Sequence, residues 1–334
     1  MKTETGSVAV RIVSTSCCLP PREMLVEDVC KSEQVKLESA TADGLGITRF
    51  RVFEGKWRSQ LALAAAKECL KKASLKGSEI ELVVDYSALP QDYVVPSWCM
   101  SNKIQAELGA AKAFNLGFGG GGTTNFLTAV KFAASLIKTA EVKNALLISA
   151  DVALPGNRVI NPDTPLTVLG DGGSAVILSR GRSGCEVMSV ELWSDGRLND
   201  VSFVEGGGLA NPDRLDLYRL RVDTAMYSQD SSLDTLKAVT RRAAENAGVG
   251  MDELSTFITP NISANDRESF ERVFGLTLDD PFGANRRQYG HMHGADFVVN
   301  LSQVASIRSE KRSRFVAVCS HGWGFSYGAM IVSM

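Results

Sequence analysis

AFNLGFGGGGTTNFLTAVKFAASLI, residues 113–137, joins a strand-length apolar run to a long apolar helix through four consecutive glycines. A strand-to-helix elbow of this kind holds the residue at its tip above the end of a sheet, beside the electropositive start of a helix. Gly119 to Gly122 put no side chain there. The turn has the shape of a nucleophile's seat and carries no nucleophile.

Outward from the elbow, apolar runs of strand length recur at 8–13, 81–88, 144–151, 174–179, 185–193, 255–260 and 314–322. Segments of helical period lie between them, notably 58–75 and 233–249. Near-continuous apolar strands alternating with amphipathic helices predict an α/β fold whose sheets are covered on both faces. The chain also repeats itself. CLKKASLKGSEIELVV (69–84) and AAENAGVGMDELSTFI (243–258) both run helix, small-residue stop, acidic turn, apolar strand, at a constant offset that lays Cys69 on Ala243. The same offset lays Gly120 on Gly294, and GDGGSAVILS (170–179) resembles GFSYGAMIVS (324–333). Two halves, 1–180 and 181–334, are expected, meeting at the turn-like RGRSG of 180–184. In such a duplication the glycine elbow and GHMHGAD (290–296) are expected to face one cleft.

Composition sets the class. The 334 residues are 44% hydrophobic and 22% charged with a formal net charge of −2, an ordinary globular balance without the basic footprint of a nucleic-acid binder. The first residues offer a strand-length run and not a signal-peptide core, so the expectation is a cytoplasmic protein without a membrane segment. Seven cysteines are scattered without paired spacing, which argues against a disulfide framework or a zinc site. Cys69 and Cys319 fall on apolar faces and read as core residues, and Cys17–Cys18 as strand-end packing.

On these motifs, the sequence resembles the thiolase superfamily, in particular the β-ketoacyl-ACP synthase III group and its acyltransferase relatives. The resemblance rests on AFNLGFGGGG with its helix, LGDGGSAVILS, HGWGFSYGAMIV and QDYVVPS (91–97), and covers nearly the whole chain. It implies a five-layered αβαβα fold of two pseudo-twofold-related halves, homodimers or heterodimers, and acyl groups delivered as CoA or phosphopantetheine (acyl carrier protein) thioesters; no metal is expected, because His291-x-His293 has no third ligand of suitable spacing beyond Asp296. The resemblance places the family's nucleophilic Cys on Gly120, its His on Asn261 in TPNISAND, or on Pro260 if the gap is placed differently, and its Asn on His291, and matches Asp296 to the Asp of the acyltransferase relatives. Backbone amides around Gly120 and Gly121 and in the Gly322–Gly324 loop are candidate substrate-binding groups, since glycine permits close approach at an electropositive helix start, and Asn261 is a further candidate; the resemblance adds Val95, standing where relatives place a bulky residue that enters the neighbouring subunit's pocket.

Without the Cys there is no covalent acyl-enzyme, and Asn261 cannot move a proton. Two readings follow. In the first, the chain is a partner subunit, completing a heterodimer with a Cys-bearing ketosynthase paralogue in fatty-acid-derived or polyketide biosynthesis. In the second it is an active, non-condensing acyltransferase in which His291 or His293 is the base and Asp296 orients an imidazole. All three histidines, including His321, lie close to the C-terminus. Thr123 and Thr124 are expected to satisfy amides of the first helical turn, and Asp171 to be a buried hydrogen-bonding residue. Cys99 is a remote alternative nucleophile. Arg286, Arg287 and the basic run 306–314 read as solvated surface or as a docking patch for an acidic carrier protein.

Overall fold

The computed structural model describes residues 8–93, 98–154, 156–226, 229–276, 280–306, 315–322 and 326–334. Val95, Gly324 and most of the basic run 306–314 lie outside them.

Nine strands form one sheet: β1 Val10–Cys18, β2 Leu82–Asp85, β3 Phe114–Gly117, β4 Asn144–Asp151, β5 Gly172–Arg180, β6 Cys185–Ser194, β7 Leu254–Ile258, β8 Phe315–His321 and β9 Ser326–Ser333. Their spatial order is β7-β8-β9-β6-β1-β5-β4-β2-β3. Running outward from β1 the pairings are antiparallel to β5, antiparallel to β4, then parallel to β2 and to β3. Running outward from β6 they are antiparallel to β9, antiparallel to β8, then parallel to β7. The second arm repeats the first and lacks a counterpart of β3 among the described residues.

The arms meet where β1 pairs antiparallel with β6, Arg11 opposite Glu186 and Ile12 opposite Cys185. The offset that lays Cys69 on Ala243 also lays Arg11 on Cys185 and Ile12 on Glu186, and so turns each of these pairs into the other. It carries the short 3₁₀ turn Gly77–Glu79 onto Met251–Glu253. Even a hydrogen bond recurs, with Glu79 accepting the Lys76 N–H at 2.9 Å and Glu253 the Gly250 N–H at 2.8 Å.

The major helices are α1 Ser59–Ala73, α2 Met100–Glu107, α3 Asn125–Lys138, α4 Gln229–Ala247, α5 Ala264–Phe274 and α6 Gly294–Ser306. Small residues on α1 let it lie close on β1 and β5: Ala62, Ala65, Ala66, Cys69 and Ala73 recur at helical spacing and are buried. On the other arm α4 packs on β6 and β9, with α5 beside it. Between the arms lie α3 and α6, whose Phe126 and Phe297 stack 5.5 Å apart within the central core. The two arms of the one sheet serve as two β layers, with α1 and α2 outside the first, α4 and α5 outside the second and α3 and α6 between them, which is the expected αβαβα layering. β4 is buried along its whole length, which explains its uninterrupted apolar sequence. No helix among the described residues is long and apolar enough to cross a membrane.

The offset does not hold throughout. It would start the counterpart of α3 at Val299, whereas α6 begins at Gly294. The structural counterpart of the glycine elbow is therefore the turn around His291, and pairing Gly120 with Gly294 is corrected.

Candidate active site

The C-terminal end of the sheet opens into a cavity of about 470 Å³ lined by Gly120, Gly122, Thr123, His291, His293, His321 and Gly322 together with a wall of apolar side chains. The two elbows therefore share one cleft, and all three histidines of the chain reach it.

His291 is fixed by its backbone. Gly290, at φ +66, brings the chain so near β5's entry that a Cβ there would lie 2.7 Å from the Val168 carbonyl. This approach lets the His291 N–H donate to Val168 O at 3.0 Å while its carbonyl accepts from Gly170 N–H at 3.0 Å. The ring is set by Asp296, in the first turn of α6, whose Oδ2 lies 2.6 Å from His291 Nδ1. A carboxylate at Nδ1 holds the proton there and leaves the lone pair on Nε2. Asp296 is fully buried and also accepts the N–H groups of Asn261 (2.8 Å) and Met292 (2.9 Å). These contacts fix the carboxyl group where it orients the imidazole.

His293 differs. Burial, then the neighbouring His291, holds its pKa well below the ordinary histidine value, so it is neutral at physiological pH. It adopts φ +50, a left-handed conformation costing on the order of 1–3 kcal/mol in a residue with a Cβ. Its Nε2 is buried with no hydrogen-bond partner among the described residues. A strained residue in the lining of a cavity, with a buried polar atom that the protein leaves unsatisfied, is a candidate for contact with a ligand.

Asn261 does not line the cavity. Its backbone N–H holds Asp296, its Oδ1 accepts from Asn300 at 3.1 Å, and it acts on the site through the carboxylate. Two glycine amides named as substrate-binding are engaged inside the protein: Gly121 N–H donates to Asn125 Oδ1 at 3.0 Å, and Gly322 N–H to Ser326 O at 3.2 Å. Gly120, at φ +81, lies open, and a Cβ there would meet nothing within 4 Å. Thr123 and Thr124 do not cap their own helix. Their hydroxyls reach across to Ser320, to the carbonyl of His321 and to that of Ser326, fastening the elbow to β8 and β9.

Cys99 is outside the cavity, with Sγ 2.8 Å from Ser101 Oγ. Burial pushes the thiols of Cys69 and Cys319 up to about 11 and about 12, so neither is a nucleophile at neutral pH. Arg286 is paired with Asp280 at 2.7 Å and largely covered, which removes it from a docking patch. Asp171 is buried in a two-point ion pair with Arg158, as its turn position led us to expect.

Three further lining elements complete the cavity, and the second and third have no counterpart in the sequence reading. His321 ends β8 and lies 3.3 Å, through Nε2, from Asp266 Oδ1. A hairpin of Ser202–Val204 and Leu220–Val222 brings Phe203 and Leu220 to the cavity, with Tyr218 beside them. The third is the loop Ala88–Pro90, held by two buried carboxylates. Asp151 accepts the Ala88 and Leu89 N–H groups at 2.8 Å each, and Asp85 accepts from Ser87 and Gln91. Burial pushes Asp151 up to about 7 and Asp85 up to about 6. Folded pKa values above unfolded ones mean that the native state binds extra protons, so stability falls as pH rises from about 4 through 7. Asp151→Asn keeps an acceptor for both amides and removes the buried charge. It is expected to stabilise the protein at pH 8 by on the order of 2–4 kcal/mol and to flatten the decline, read from thermal unfolding at pH 5, 7 and 8.

A family model described as 3-oxoacyl-[acyl-carrier-protein (ACP)] synthase III matches residues 121–196. The beta-ketoacyl-[acyl-carrier-protein] synthase III of Aquifex aeolicus is 24% identical over 97% of this chain and 99% of its own length. A crystal structure of the 3-oxoacyl-[acyl-carrier-protein] synthase III from that organism superposes with a TM-score of 0.78 at 20% identity, covering 97% and 100% of the two chains. ChlB3, described as an acyltransferase, superposes at 0.81 with 17% identity over 98% of each chain. The priming beta-ketosynthase of the R1128 polyketide pathway superposes at 0.80 with 18% identity over 98% and 97%. These likenesses establish the fold along nearly the entire chain.

Proposed function

We infer that this 3-oxoacyl-[acyl-carrier-protein] synthase III-like chain is an acyltransferase that moves an acyl group directly from a CoA or acyl-carrier-protein thioester to a hydroxyl or amine acceptor, without an acyl-enzyme intermediate. The observation carrying this reading is the buried His291–Asp296 pair, 2.6 Å apart, in the wall of an apolar cavity whose elbow has only glycine to offer. The acceptor's oxygen or nitrogen attacks the thioester carbon while His291 Nε2 takes its proton. The tetrahedral intermediate then collapses, the C–S bond breaks and the thiol leaves. His293, neutral and in the cavity lining, hydrogen-bonds the reacting carbonyl as its Nε2–H tautomer. Holding donor and acceptor together supplies roughly 7–11 kcal/mol without any covalent step. The names of the relatives support carrier-bound acyl substrates and a place in fatty-acid or polyketide-type biosynthesis, and a cytoplasmic setting belongs to the same proposal.

Exchange of labelled thiol into the donor tests the reading. An acyl-enzyme catalyses this exchange without acceptor, and direct transfer does not. Gly120→Cys is the converse. The added side chain enters open space at a conformational cost of about 1–2 kcal/mol, so the variant is expected to gain an acyl adduct in intact-mass spectra and to begin exchanging thiol.

One observation favours a second reading, that of a partner subunit. β3 is an edge of the sheet, and its Phe114 is 67% exposed. An apolar edge strand is a template for pairing with another chain, either a second copy or a Cys-bearing paralogue. Co-expression with such a paralogue followed by light scattering separates the two. A stable homodimer that transfers acyl groups alone, and does not exchange subunits, removes the heterodimer reading.

A further inference from the structure

The third histidine approaches the cavity from a different part of the fold. His321 ends β8 and is buried. Its Nε2 faces Asp266 Oδ1 at 3.3 Å, and Asp266 is itself placed by two contacts: its N–H donates to Ser263 Oγ at 3.1 Å and its Oδ1 accepts from Gln229 Nε2 at 3.1 Å. The carbonyl of His321 accepts from Thr123 Oγ1 at 3.3 Å, which fastens this end of β8 to the glycine elbow. His291 and Asp296, in contrast, come from the turn before α6 and from α6 itself. Two histidines in the lining of one cavity are therefore each backed by a carboxylate outside it, the two pairs being built by separate elements.

Direct acyl transfer moves two protons at two places. The acceptor loses one as it attacks, and the sulfur gains one as it leaves. A single imidazole must serve both positions in turn, whereas two fixed imidazoles serve both in one passage. An imidazolium is a stronger acid than an alkyl thiol, so a protonated ring placed at the sulfur can supply its proton.

We propose that His321, held by Asp266, is the catalytic acid that protonates the departing thiolate, while His291 is the base toward the acceptor; this rests on the direct-transfer reading above. As the C–S bond breaks its electron pair stays on sulfur, which takes a ring N–H proton from the His321 imidazolium. His291 ends the passage protonated and His321 neutral. Water returns both to their starting states, leaving acylated acceptor and free thiol with no net proton change.

The test varies the leaving group. Two donors carry the same acyl group, one an N-acetylcysteamine thioester and the other a thiophenyl ester, whose anion departs without help. With the acceptor and enzyme otherwise fixed, His321→Gln is expected to lose about 10²-fold in rate on the alkyl thioester and little on the aryl one. Asp266→Asn keeps the imidazole and is expected to move in the same direction, so a His321 variant that fails to fold does not end the test. His291→Gln is expected to lose equally on both donors. Equal losses on the two donors for His321→Gln and Asp266→Asn, with His291→Gln still impaired, overturn the acid assignment alone. An unimpaired His291→Gln overturns direct transfer and the proposal with it. Loss confined to the alkyl donor is a readout that a merely structural role for His321 does not produce.

Discussion

His291→Ala is expected to lower acceptor-dependent thiol release by about 10²- to 10⁴-fold, the range associated with losing a positioned general base. The fall should appear in kcat, since the imidazole acts on the acceptor's proton and contributes little to holding the donor, whose acyl group faces apolar wall. The fold should survive. Asp296 keeps the Asn261 and Met292 amides as partners after the ring is gone, so its charge is not left unpaired. Asp296→Asn is a harsher change. Three donors converge on the carboxylate, and an amide has one oxygen to offer them, so its NH₂ faces at least one N–H. It should lower both activity and the unfolding midpoint, measured by kinetics and thermal denaturation on the same preparation.

Asp171→Ala is expected to cost about 3–5 kcal/mol of folding stability, enough to change the folded-to-unfolded ratio by more than a hundredfold. The carboxylate meets Arg158 through two bonds of 2.8 Å and accepts the N–H groups of Phe53 at 2.7 Å and Ala153 at 3.0 Å. Removing it strands a guanidinium that is 8% exposed and frees the Ala153 amide in the cavity wall. A double replacement, Asp171→Leu with Arg158→Met, removes both charges together and should recover part of the loss. Urea titrations of both variants beside the native protein measure this directly, and equal stability of Asp171→Ala and the native protein would contradict a buried, paired role.

Much of this architecture is legible in the sequence because the physics behind it is periodic. The apolar runs that become β4, β5 and β8, and the small-residue stripe of α1, carry their own evidence. The duplication is legible for the same reason, since Glu79 and Glu253 close the same turn in the two halves. The offset fails later, where chain length differs between the elbows and sequence position no longer tracks structure. His291 and Asp296 are close in sequence and on one elbow, so their pairing is readable from GHMHGAD. His321 and Asp266 are distant in sequence, on a strand end and a helix, and only tertiary packing creates their contact. The hairpin carrying Phe203 and Leu220 has two three-residue strands, too short for an alternating pattern to stand out. Thr123 and Thr124 look like helix caps locally, and β8 and β9 compete successfully for their hydroxyls. The direction of an amide, as at Gly121 and Gly322, leaves no trace in residue type at all.

The most direct measurement is free-thiol release from a panel of acyl-CoA and acyl-carrier-protein thioesters, with and without hydroxyl and amine acceptors, for the native protein beside His291→Ala. Direct transfer requires release that depends on both the acceptor and His291, with no acyl adduct on the protein in quenched samples. Release without acceptor accompanied by a stable adduct, or release unchanged in His291→Ala, would contradict it.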